Sequence, residues 1–223
     1  MDGGVCEGYL ALPPAGRGPG LVLLPEVYNA NAWVRAAADA FAADGFAVLA
    51  PDIYWRQGAH QYADYTPDGL ARSRELSKVL EADIDRAIED IGRSVEALRR
   101  RAETNGKVGV AGYCLGGKLA YLAGTRLAVD AVVIYYGVRL PPYLGEAPHL
   151  KAPTIMHFGD CDEHVPPAMI DTIRSAVAGM PNVALHVYEG AGHGFARFGH
   201  PTCNPAADAL ARSRTNALLR CLQ

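Results

Sequence analysis

The chain has no long apolar run, no block of like charge and no paired set of cysteines. Of its 223 residues, 24 are acidic and 21 basic, for a net charge of −3. That balance offers no basic face for a nucleic acid, so none is expected as a partner. No apolar stretch approaches the roughly 20 residues of a membrane span, so no membrane is expected either. Met1–Gly4 opens without the charged-then-apolar pattern of an export signal. The five cysteines (Cys6, Cys114, Cys161, Cys203 and Cys221) are odd in number, scattered and without C-x-x-C spacing. They read as free thiols in a reducing cytoplasm rather than as a disulfide framework or a zinc site. The histidines lack i,i+4 pairing, and no metal or cofactor is expected.

What is present is an alternation of apolar runs and longer helical patterns. It predicts an α/β fold with a mostly parallel sheet covered by helices on both faces, built as one domain over 1–223. The expected strands are Glu7–Leu12, Gly20–Leu24, Ala47–Ala50, Val108–Gly112, Ala131–Tyr136, Thr154–Phe158 and Ala184–Tyr188. The first is partly polar and suits a sheet edge. The expected helices are Ala32–Ala43, a long region Pro67–Arg101 with a break near Val79–Glu81, Leu115–Leu127, Pro167–Ala178 and Pro205–Cys221. Pro13–Pro19 reads as a turn. A monomer is compatible with this composition.

Val108–Gly117 reads V-G-V-A-G-Y-C-L-G-G. It is a nucleophile-elbow pattern with Cys114 where serine usually stands. A sharp strand-to-helix turn crowds the backbone and favours flanking glycines, here Gly112 and Gly116. The alternative is a buried cysteine in a core strand. Chain order separates the two readings. An α/β-hydrolase carries nucleophile, acid and histidine in that order, each just past a strand. After the strand expected at Thr154–Phe158 come Asp160, Asp162 and Glu163. After the one expected at Ala184–Tyr188 comes His193. The order therefore holds for Cys114, an acid among 160–163 and His193. His164 is a rival to His193, while His157 and His186 fall inside strand patterns and suit the core. In this arrangement the imidazole activates the thiol, and a carboxylate on its far nitrogen fixes the tautomer. Backbone donors then hold the oxyanion: the N–H of Leu115, and a second after the Gly20–Leu24 strand, placed at Val27.

These segments resemble the dienelactone hydrolase family of cysteine-dependent α/β-hydrolases. The resemblance is carried by L-L-P-E-V-Y-N-A-N at Leu23–Asn31, A-P-D-I-Y-W-R-Q at Ala50–Gln57 and G-K-V-G-V-A-G-Y-C-L-G-G at Gly106–Gly117. It continues in Y-Y-G-V at Tyr135–Val138, F-G-D-C-D-E-H-V-P at Phe158–Pro166 and Y-E-G-A-G-H-G-F-A-R at Tyr188–Arg197. It implies a triad of Cys114, Asp162 and His193, with Glu26 contacting and restraining the thiol. It also implies that Arg56 and Arg197 bind a substrate carboxylate, and guanidinium suits that task. Tyr54, Trp55 and Phe195 are candidate pocket walls. The implied substrate is a small anionic lactone or ester, and the implied reaction opens an enol lactone such as dienelactone to maleylacetate through an acyl-thioester. The chain departs from the family pattern at Gly194, directly after His193, and at Tyr28. A thiol redox sensor could share an elbow cysteine and a nearby glutamate, but it has no need of a late Asp-then-His order.

Overall fold

The computed structural model describes residues 4–223; the start of the stretch read for an export signal, Met1–Gly3, lies outside the described residues. The chain divides into two compact units, 1–108 and 109–223. In the first, strands β1 (Gly8–Ala11), β2 (Gly18–Leu24) and β3 (Ala47–Pro51) combine with helices α1 (Ala32–Ala43), α2 (Pro67–Ala82) and α3 (Ile84–Arg99). β2 runs parallel to β3, while β1 pairs antiparallel to β3, from Gly8 opposite Pro51 to Ala11 opposite Val48. The partly polar first strand thus takes the antiparallel place.

Local rules set the helix ends. Asn31 caps α1 by accepting the Val34 N–H at 3.1 Å. Trp33, Val34, Ala37, Ala38 and Phe41 then face the core. Thr66 caps α2 from the position before Pro67, whose missing N–H costs nothing there. The long helical region is indeed two helices, but the break falls at Asp83 rather than at Val79–Glu81. Asp83 leaves helical geometry, with φ −131° and ψ 63°, and its side chain caps α3 through the Arg86 N–H. A capping aspartate decided the break, not the local apolar spacing.

In the second unit β4 (Thr104–Tyr113, which begins in the first), β5 (Val132–Tyr135), β6 (Thr154–Gly159) and β7 (Val183–Tyr188) pair in succession, all parallel. Helices α4 (Leu115–Arg126), α5 (Pro167–Ala176) and α6 (Pro205–Leu219) connect and follow them. Four helices end earlier than read, α3 at Arg99, α4 at Arg126, α5 at Ala176 and α6 at Leu219. Short 3-10 turns at Trp55–Gln57, Pro141–His149 and Arg220–Leu222 carry no sequence period long enough to announce them. No helix of the described residues is long and apolar enough to cross a membrane.

His157 lies inside β6, wholly buried as its pattern predicted. Its Nδ1 pairs with the Tyr188 hydroxyl at 2.8 Å and its Nε2 with Thr215 Oγ1 at 3.0 Å; Thr215 also meets the Tyr135 hydroxyl at 2.8 Å. One polar network therefore ties β5, β6 and β7 to α6. Burial first, then the neighbouring His186 and Arg214, pushes the His157 pKa well below its ordinary value. Between that lowered value and about 6.5 the unfolded chain takes up a proton that the native state refuses. Stability is therefore lost as pH falls below about 6.5, at up to ~1.4 kcal/mol per pH unit for this one proton. His157→Gln should flatten the acid side of a plot of unfolding free energy against pH, measured by urea titration. An unchanged slope would refute the assignment.

Candidate active site

Cys114 sits between β4 and α4 with φ 56° and ψ −114°, a left-handed backbone that L side chains rarely adopt. The turn is possible because a Cβ on Gly112 would overlap the Gly116 carbonyl, and one on Gly117 would lie 2.8 Å from the Gly137 Cα. The Cys114 N–H donates to the Tyr135 carbonyl at 3.0 Å. Its carbonyl accepts from Lys118 N at 3.2 Å and from Val138 N at 3.3 Å. Leu115 opens α4, where first-turn N–H groups lack intrahelical acceptors and the helix end favours negative charge. The thiol side chain is partly exposed rather than buried in a strand.

Of the three candidate acids, the structure pairs Asp162 with the histidine. Its Oδ2 accepts from or shares a proton with His193 Nδ1 at 2.8 Å. Its Oδ1 accepts the His164 N–H at 2.7 Å and the Val165 N–H at 3.2 Å, and the residue is buried. Asp160 serves the backbone instead: its Oδ1 accepts the Gly190 N–H at 2.8 Å, while Cys161 N donates to the Ala191 carbonyl at 3.0 Å. A Cβ on Gly159 would overlap that same Ala191 carbonyl. The β6 and β7 loops are thereby stitched together. Glu163 is exposed.

The His193 imidazole lies edge-on to two rings. Tyr136 has its ring centroid 5.0 Å away and His164 has its own at 4.6 Å. The rival histidine is thus a neighbour of His193 at the solvent side, with an exposed residue of its own. His193 Nε2 is buried and makes no hydrogen bond of full geometry among the described residues. The Cys114 sulfur is nevertheless near enough to act on the ring. Burial opposes a proton on His193, but the Cys114 charge, together with the hydrogen bonds to Asp162 and Cys114, outweighs it and pushes the pKa up to about 10. The arrangement sets the imidazole beside the elbow cysteine, and apo contacts of this kind commonly tighten only when substrate binds.

The remaining sequence candidates divide between the units. In the second, Arg197 is buried, and its guanidinium carbon would lie 3.1 Å from a Cβ on Gly194. Gly194 has φ 76°, so this departure from the family pattern leaves room for the guanidinium beside the His193 loop. Phe195 is fully buried among Tyr135, Tyr136 and Tyr188. In the first unit, Glu26 is buried and accepts the Tyr65 hydroxyl at 3.0 Å. Val27 follows it, its carbonyl accepting the Tyr54 hydroxyl at 2.9 Å, and Tyr54 is fully buried. Trp55 Nε1 donates to Asp90 at 3.1 Å. Arg56 grips both oxygens of Asp90, at 2.6 and 2.8 Å, with its guanidinium carbon 4.2 Å from the Trp55 ring centroid. Sequence reasoning did not single out Asp90, Tyr65 or Tyr136. Asp90 and Tyr65 stand far along the chain from the groups they meet, and no local spacing announces them. The Tyr-Tyr-Gly run after β5 was the one legible signal for Tyr136. Among the described residues no group of three or more metal-ligating side chains comes together.

A mostly parallel sheet with flanking helices, and an elbow followed in order by an acid loop and a histidine loop, define an α/β-hydrolase. The chain belongs to the dienelactone hydrolase family, whose model matches residues 6–222. Carboxymethylenebutenolidase of Pseudomonas putida is 33% identical over all of this chain and 94% of the relative. Carboxymethylenebutenolidase 1 of Cupriavidus pinatubonensis is 30% identical, again over all of this chain and 94% of the relative. The solved dienelactone hydrolase of Anabaena variabilis superposes with a TM-score of 0.70 at 22% identity, over 99% of this chain and 94% of that one. The protein is a lactone or ester hydrolase.

Proposed function

We propose that the chain opens small carboxylate-bearing enol lactones, of the dienelactone-to-maleylacetate kind, through an acyl-thioester on Cys114. One observation carries the reading: His193 is held at Nδ1 by Asp162, while its Nε2 is left without a full hydrogen bond and is coupled to an elbow cysteine. The thiolate attacks the lactone carbonyl, and the Leu115 N–H faces the developing oxyanion. Ring opening expels an enolate, which takes a proton and becomes a ketone. That stable leaving group matters, because a thiolate is itself easily expelled and would otherwise return the adduct to substrate.

The same imidazole can then change role. Once Cys114 is acylated, the negative charge that held the proton on His193 is gone, and burial pulls the pKa down against Asp162 alone. His193 becomes a base for the water that attacks the thioester, and the returning thiolate restores the resting pair. Arg197 is assigned to the substrate carboxylate. Arg56, whose guanidinium is oriented by both oxygens of Asp90, is assigned to the same carboxylate.

Hydrolysis of cis- and trans-dienelactone before and after Cys114→Ala tests the proposal. Loss of the nucleophile should cost at least roughly a thousandfold in kcat, and intact-mass analysis of the quenched wild-type enzyme should show an acyl adduct on Cys114. Undiminished turnover in the variant would overturn it.

A further inference from the structure

Tyr136 follows β5 with φ 37°, a conformation that glycine holds without strain and a bulky aromatic residue does not. It is completely buried. Strain of this kind persists only where surrounding contacts over-determine it. Here the contacts lead to both reacting side chains. Residues one before and two after Tyr136 bond to the Cys114 backbone: the Tyr135 carbonyl takes the Cys114 N–H, and Val138 N donates to the Cys114 carbonyl. Tyr136 N itself donates to the His157 carbonyl at 2.7 Å, which carries on the β6 ladder. Gly137 allows backbone contact with α4, since a Cβ there would lie 3.1 Å from the Gly117 carbonyl carbon. The Tyr136 ring, packed on Phe195 at 5.4 Å, presents itself edge-on to the His193 imidazole.

We propose that Tyr135–Val138 is a strained brace between nucleophile and base, with Tyr136 a positioning residue that fixes the His193 imidazole relative to Cys114. The proposal deepens the hydrolase reading above and rests on it for the identity of the reacting groups. A relaxed backbone would suit the fold equally well with glycine at 136. The chain instead accepts strain there, and the result is a ring set against the imidazole. Misplacement of a reacting group by about 1 Å can cost up to a hundredfold in rate.

Tyr136→Gly removes both strain and ring, whereas Tyr136→Phe keeps the ring and the backbone path. Two measurements are made on each: kcat and KM with dienelactone, and the titration midpoint of the His193 ring by NMR on histidine-labelled protein, assigned by its absence in His193→Gln. The glycine variant should lose about tenfold or more in kcat with KM within about twofold. Its His193 midpoint should fall by about one unit or more as the paired charges draw apart. The phenylalanine variant should match wild type in both. A glycine variant that keeps wild-type kcat, or whose midpoint stays at or above the wild-type value, overturns the brace. So does a phenylalanine variant as impaired as the glycine one. The NMR midpoint needs no turnover. Failure of the hydrolase reading, seen as activity retained by Cys114→Ala, is therefore distinguishable from failure of the brace.

Discussion

Asp162→Asn should lower kcat by roughly 10³–10⁴ while leaving KM and the fold nearly unchanged. The reason lies in how the carboxylate is held. Oδ1 accepts two backbone N–H groups, from His164 and Val165. In the asparagine variant only the amide oxygen can take that place, so the amide NH₂ must face His193 Nδ1. An NH₂ group donates, and Nδ1 is forced to accept. The ring proton then sits on Nε2, the nitrogen that should receive the thiol proton. The variant keeps its shape and holds the wrong tautomer. Steady-state kinetics on folded protein check this; kcat within tenfold of wild type would show that Asp162 does not set the tautomer.

Gly112→Ala should be strongly destabilising. A methyl group there overlaps the carbonyl of Gly116 at the start of α4, and backbone cannot swing aside as a side chain can. Either the elbow opens or the strand shifts, and both break the Cys114 bonds to Tyr135 and Val138. Losses above about 4 kcal/mol belong to such cases. They correspond to a fall in Tm of roughly 10 °C for a chain of this size. The same substitution at Gly145, with nothing within 4 Å, is the control and should shift Tm little. Thermal unfolding of the two variants side by side decides the matter; equal midpoints would contradict the overlap.

Much of this was legible in residue order. The elbow could be read because its turn demands glycines at fixed places around Cys114, and the acid and histidine loops because each follows an apolar run. The choice among Asp160, Asp162 and Glu163 was not legible from the residues alone. All three are carboxylates within one turn-rich loop, and only the fold shows that Asp160 bonds backbone while Asp162 bonds the imidazole. Resemblance named Asp162 in advance, and it is Asp162 that meets the imidazole. Arg56 illustrates the opposite difficulty. Its place in the matching segment could be read, but its partner Asp90 lies on α3, far along the chain, where charge counting cannot see the pairing. Capping at Asp83 is intermediate: the residue type was a signal, but apolar spacing drew the break a few positions too early.

The stitching of the β6 and β7 loops bears on how such a scaffold changes its diet. Asp160 to Gly190, Cys161 to Ala191 and the close backbone approach of Ala191 to Gly159 leave those loops little freedom to lengthen without separating Asp162 from His193. Insertions that remodel substrate choice must therefore be accommodated elsewhere. Within the second unit the 3-10 segment Pro141–His149 is one place open to them, since it carries none of the three side chains proposed to react. The chemistry is bolted down at one pair of loops, so novelty has to enter through another.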